Sequence, residues 1–145
     1  MSLIQNKKIH FNYEILEKYE AGIELLGFEV KSLKSSQGSL EGAYIKIRGG
    51  EAFVTGMNIP PYQVNNTPKE YDPTRSRKLL LTKKEIEELG KVEQKAGLTI
   101  VPLSVYNKGR KIKLELAVAK GKKNFDKRET IKKRDTEREI RRELK

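Results

Sequence analysis

Apolar residues recur along this chain in short, interrupted runs, and the interruptions locate the elements. Residues 13–30 read as extended, with Ile15, Ile23, Leu25 and Leu26 broken by Gly22 and Gly27, and interior glycines in a strand predict a bulge or a barrel bend. Residues 28–34 place Val30 and Leu33 three apart before a polar SSQGS stretch, which predicts a short helix or turn. The clearest hairpin spans 43–58, because Gly49-Gly50 suits a two-residue turn with positive φ at both positions. Residues 58–78 carry Pro60, Pro61, Pro68 and Pro73 and form a long loop whose end is basic through Arg75, Arg77 and Lys78. Leu79, Leu80 and Leu81 then begin a buried strand or the next helix.

The best-marked helix follows. Thr82 and Glu85 make a capping-box pair, Ile86, Leu89, Val92 and Ala96 share one face, and Gly97 stops the run. Two last strands, 98–106 and 111–119, join through residues 107–110 as a second hairpin. A helix set among the strands of a small barrel predicts a mainly β fold with a few helices, an antiparallel barrel of the oligonucleotide-binding type. Phe28, Tyr44 and Phe53 are assigned to its core.

Charge divides the chain. The 145 residues carry a formal +11, and residues 120–145 hold twelve Lys or Arg against six Asp or Glu. Only Phe125, Ile131, Ile140 and Leu144 are apolar in that stretch, too few to offset the entropy of ordering it. The expected organisation is therefore a folded domain at 1–119 and a basic tail at 120–145, disordered when free. Arg134, Arg138, Arg141 and Lys145 recur at spacings of 4, 3 and 4, so a helical tail presents one cationic face, with Glu129–Lys133 and Glu137–Arg141 as supporting pairs.

A polyanionic partner follows from that charge, because each cation that neutralises a phosphate releases condensed counterions. Nucleic acid fits better than a bilayer. No apolar run approaches the roughly 18 residues of a membrane span, and the tail lacks the wide apolar face that a membrane-surface helix needs. The chain begins without the apolar core of a secretory signal, so a cytoplasmic location is expected. With no cysteine and only His10, thiolate and imidazole metal sites are excluded and nucleophilic catalysis has no base beyond one imidazole beside a frayed terminus. No phosphate-binding loop motif occurs, and the Glu87-Glu88 pair reads as solubilising. A non-enzymatic RNA-binding protein without cofactor is the reading these residues support, with a metal-dependent nuclease as the least implausible enzyme.

Three segments resemble the small protein B family. EAGIELLGFEVKSL at 20–33 is similar to its E-x-G-[IL]-x-L-x-G-x-E-V-K-S-[IL] motif. PTRSRKLLL at 73–81 with Glu85-Ile86 is similar to its basic loop and helix start, and VAKGKK at 118–123 with DKR at 126–128 is similar to its last strand and tail. The resemblance implies an oligonucleotide-binding barrel that binds the transfer-RNA-like domain of transfer-messenger RNA and delivers it to stalled ribosomes. The tail would occupy the decoding centre and the empty messenger channel, becoming helical there. It also implies one monomer per RNA. By the same resemblance, RNA contacts fall on Glu20, Leu80 and Lys113, supported by Asn6, Lys7, Lys31 and Lys78, and decoding-site contacts on Gly121, Lys122, Lys123, Asp126, Lys127 and Arg128. The chain departs from the pattern at Ile9 and Phe11, where the family often has Ala then His, at Asn58 and Thr82, where it has His, and at Thr136, where it has an aromatic. A structural component of the ribosome is the alternative the residues leave open.

Overall fold

The computed structural model describes residues 2–63 and 67–122. The elements run β1 (Ser2–Gln5), α1 (Ile9–Asn12), β2 (Tyr13–Ile23), α2 (Gly27–Lys34), β3 (Tyr44–Arg48), β4 (Glu51–Thr55), β5 (Arg77–Leu80), α3 (Lys83–Glu93), β6 (Leu98–Lys108) and β7 (Lys111–Gly121). All strands belong to one antiparallel sheet in the order β1-β6-β7-β2-β5-β4-β3.

Both predicted hairpins form. Gly49 and Gly50 turn between β3 and β4 at φ of 59° and 75°, a pair of left-handed positions that side chains with a Cβ resist. Asn107 pairs with Ile112 and Lys108 with Lys111, so Gly109 and Arg110 alone make the β6–β7 turn. The α3 capping box is closed in both directions: Thr82 Oγ1 accepts from Glu85 N at 3.2 Å, and Glu85 Oε1 accepts from Thr82 N at 3.0 Å.

Coiling of the sheet brings β3 against β6, yet these two do not pair among the described residues. Helix α3 packs on both and spans the gap, so the barrel is of the oligonucleotide-binding type but open. The exposed edge of β3 is answered locally: Glu93 at the end of α3 accepts from Ile47 N at 2.8 Å, which occupies a backbone donor that an edge strand would otherwise offer to another chain. Inside lie Ala21 and Ile23 of β2, Leu114, Leu116 and Val118 of β7, and Leu33, Leu40, Met57, Ile59 and Leu89 around them. Alternate residues of each strand face this core, as the two-residue period requires. A second, smaller cluster sits on the outer face, where Ile9 of α1 covers Val101, Leu103, Ala117 and Ala119.

Several expectations change. The amino terminus is tied down rather than frayed, since β1 pairs with β6 and His10 lies on α1. Extended structure stops at Ile23 instead of continuing to residue 30, because Glu29 Oε1 accepts from Leu26 N at 2.8 Å and starts α2 there. The bulge in β2 falls between Ile15 and Glu17, whereas Gly22 pairs regularly on both sides. Helix α3 ends at Glu93, leaving Ala96 exposed in the turn to β6. Tyr44 is exposed rather than in the core, and Phe28 and Phe53 are half-buried, Phe28 edge-on to Tyr71 with ring centroids 4.7 Å apart. Strand β7 continues past Ala119 to Gly121, opposite Tyr13, and Lys122 N donates to Asn12 O at 2.9 Å. Lys123, Asp126, Lys127, Arg128 and the cationic face from Arg134 to Lys145 lie outside the described residues.

Candidate nucleic-acid interface

Strand register assembles three of the sequence-predicted residues into one patch. Gly22 on β2 stands opposite Leu80 on β5 and opposite Lys113 on β7, and Lys113 in turn stands opposite Tyr106 on β6. Leu80, Gly22, Lys113 and Tyr106 therefore form one cross-strand row on the outer face. The row is tight at the glycine: a Cβ at Gly22 would stand 3.1 Å from Leu80 Cβ and 3.3 Å from its Cδ1, so Leu80 would have to shift by a few tenths of an ångström to admit it. The missing side chain lets Leu80 lie across β2 toward Lys113, with 52% of its surface left in solvent. A hollow of about 320 Å³ opens here, lined by Leu80, Gly22, Lys113, Val30 and Arg110 among others.

Two residues along each strand, on the same face, is the next row, where Glu20 opposes Glu115. Like charges across a pair repel, and the side chains around Glu20 compensate. Tyr106 donates to Glu20 Oε2 at 2.5 Å and Lys108 Nζ to Oε1 at 2.9 Å. These two hydrogen bonds, Tyr106 first, hold the Glu20 carboxyl below its ordinary pKa, with Lys108 and Lys113 adding charge attraction. Burial and the same Glu20 contact push the Tyr106 phenol well up, so it stays a donor. An ionised carboxylate offers about four acceptor directions, and two are used. Glu20 is thus fixed in orientation with capacity to accept from a base amino group. Beside it stand the Lys113 ammonium, a group that can pair with a phosphate, and the exposed Leu80 side chain, an apolar surface on which a base can rest.

The supporting residues are spread more widely. Lys7 is exposed and lines a neighbouring hollow together with Lys18 and Glu115, which continues the patch toward α1. Asn6 has an inward role: its Nδ2 donates to Pro102 O at 3.0 Å and Leu40 O at 3.4 Å, and its N donates to Leu103 O at 2.8 Å. Lys78 is two residues from Leu80 on β5, on the same face, and pairs with Glu51 at 3.2 Å. Lys31 is exposed on α2, next to Val30 of the hollow. Gly121, the last residue of β7, and Lys122 after it lie beside a larger groove of about 650 Å³ that also takes in Asn6, Lys8, Asn12 and Tyr13.

Sequence reasoning placed Arg75 and Arg77 on a basic loop, and the structure removes Arg77 from that surface altogether. Glu29 and Arg77 are both 0% exposed. Arg77 Nη2 lies 2.6 Å and Nε 2.8 Å from Glu29 Oε2, and Arg75 Nη2 lies 2.5 Å from Oε1. Arg77 also donates to Met57 O, Arg75 O and Pro73 O, and Tyr71 OH joins Arg77, Glu29 and Ile59 O. Burial alone would raise the Glu29 pKa, but the Arg75, Leu26 and Arg77 donors outweigh it and hold the carboxyl at about 2. This network pins the proline-rich loop onto α2 and sets the start of β5, hence the position of Leu80. The separations of 46 and 48 residues left no local signal for it.

Comparison with known proteins gives a consistent result. The family model described as SmpB protein matches residues 3–145. SsrA-binding protein of Malacoplasma penetrans is 49% identical over 142 residues, covering 98% of this chain and 97% of its own. SsrA-binding protein of Mesoplasma florum is 53% identical over 140 residues, covering 97% and 94%. A solved structure described as "tmRNA-SmpB: a journey to the center of the bacterial ribosome" superposes with a TM-score of 0.70 at 40% identity, over 83% of this chain and 85% of that one.

Proposed function

The chain belongs to the SmpB family, and from that premise we propose that it binds the transfer-RNA-like domain of transfer-messenger RNA and delivers that RNA to stalled ribosomes. It works as one monomer per RNA in the cytoplasm, needs no cofactor and catalyses no reaction itself. The observation that carries the RNA-binding part is the row of Leu80, Gly22 and Lys113 beside an oriented Glu20. In one patch it combines an apolar rest for an unstacked base, a cation for a phosphate and a fixed acceptor. Asn6 serves by holding the β1–α1 connection in place, and Lys7, Lys31 and Lys78 add positive charge around the patch. Gly121, Lys122, Lys123, Asp126, Lys127 and Arg128 are assigned to the decoding centre, with the chain beyond them in the messenger channel.

Equilibrium binding to the isolated transfer-RNA-like domain tests this over a salt series. Affinity should fall steeply with salt, and Lys113→Ala should weaken binding while lowering the log-log salt slope by about one unit. Unchanged affinity and slope with unchanged circular dichroism would remove Lys113 from the interface.

A further inference from the structure

The outer face of β3, β4 and β5 carries a second arrangement of aromatic and basic side chains, of which only Lys78 also belongs to the patch described above. Its grid follows from the register. Lys78 stands opposite Phe53, and Phe53 opposite Lys46, so an aromatic ring lies between two lysines across three strands. One row toward the strand ends, Tyr44 stands opposite Thr55, whose Oγ1 is 3.3 Å from Ser76 Oγ. On the other side, Arg48 stands opposite Glu51, which pairs with Lys78. Residues 44, 46 and 48 share this face because Ile45 and Ile47 turn the other way, toward the core. Between them lies a hollow of about 290 Å³ lined by Tyr44, Lys46, Arg48, Phe53, Thr55 and Ser76. Tyr44 is 44% exposed. No hydrogen bond, ion pair or ring contact in the described residues engages the Tyr44, Phe53, Lys46 or Arg48 side chains.

We propose that this β3–β4–β5 face is a second RNA contact, adjoining the Glu20–Leu80–Lys113 patch through Lys78 of β5, that stacks unpaired bases on Tyr44 and Phe53 and takes the flanking phosphates on Lys46 and Arg48. A row of cations around an aromatic platform is what a single strand needs, since every base has a π-face and every linkage a negative charge. A protein partner would leave that excess positive charge unmatched unless its own surface were acidic. Arg48 and Lys46 exceed the single acid, Glu51, which already has Lys78 as its partner. The inference rests on the proposed RNA-binding function and extends it to an adjoining surface and a different form of RNA, open strand rather than a folded domain.

The test uses the full chain with an unstructured oligoribonucleotide carrying a photoreactive uridine, crosslinked and mapped by mass spectrometry, with affinities measured for wild type, Tyr44→Ala and Tyr44→Phe. Crosslinks on Tyr44 or Phe53 are expected. Tyr44→Ala should weaken oligonucleotide binding at least about fivefold, and Tyr44→Phe, which keeps the ring, should restore it. Crosslinks confined elsewhere, or equal affinities for wild type and Tyr44→Ala, would overturn the proposal and leave the aromatics to a protein partner. Failure of Tyr44→Phe to restore binding would overturn the stacking role. The transfer-RNA-like domain is titrated in parallel: if wild type binds it while the oligonucleotide result is negative, this inference fails and the primary function stands.

Discussion

Replacing Glu29 by Gln is the sharpest test of how the barrel is held, because it changes a charge and almost no volume. In the folded protein the carboxylate faces Arg77 Nη2 at 2.6 Å, Arg77 Nε at 2.8 Å and Arg75 Nη2 at 2.5 Å, with Glu29 and Arg77 fully buried. Glutamine would turn an amide N–H₂ toward one guanidinium and leave the buried Arg77 charge uncompensated. Breaking a buried pair in this way costs about 3–5 kcal/mol. The pKa gives a second route. Holding the carboxyl at about 2 against an ordinary 4.5 amounts to ~3 kcal/mol of stability. Against the 5–15 kcal/mol typical of whole domains, that loss is large. In urea denaturation, with a slope of about 2 kcal/mol/M, the midpoint should fall by roughly 2 M at pH 7. The sign with pH is fixed because the folded pKa lies below the unfolded one. The contribution is complete above the unfolded value and disappears as pH falls through about 2. Wild type and Glu29→Gln should therefore converge between about pH 4.5 and pH 2. A midpoint shift under about 0.3 M at pH 7, or a difference that does not shrink in acid, would refute the assignment of stability to this ion network.

Two further predictions concern the interface and its edge. Gly22→Ala should displace Leu80, whose Cβ would be 3.1 Å from the new methyl, and so weaken binding of the transfer-RNA-like domain while leaving the circular dichroism spectrum intact; normal binding would remove Leu80 packing from the account. Truncation after Lys122 should preserve full thermal stability and RNA binding but lower the salt slope. Truncation after Ala119 should lose about 1–3 kcal/mol more, since it deletes Lys120 and Gly121 pairing and the Lys122 N to Asn12 O hydrogen bond; equal melting temperatures for the two forms would contradict this.

Features legible in the sequence were those whose causes lie within a few residues. Gly49-Gly50 needed only its two positive-φ positions, and the Thr82–Glu85 cap only one turn of chain. Strand β1 carries no alternation strong enough to announce it, and exists because β6 offers an edge about a hundred residues away. Arg77 read as basic surface because Glu29, the residue that draws it inside, is 48 positions distant. Tyr44 was misassigned to the core although the signal was present: Ile45 and Ile47 fix the inward parity of β3, which turns Tyr44 outward. The site residues came from resemblance to the family. Their adjacency was not legible, because only the pairing of β5, β2, β7 and β6 brings Leu80, Gly22, Lys113 and Tyr106 into one row.

We propose that this chain carries transfer-messenger RNA to stalled ribosomes through that row. The most direct test is peptide tagging from a stop-less message in a translation system depleted of its own SmpB and supplied with this chain. Tagging should be restored by the wild type and fall sharply with Lys113→Ala at limiting protein, recovering as the variant is raised in concentration. Absence of tagging with wild type, or Lys113→Ala matching wild type at every concentration, would contradict the account.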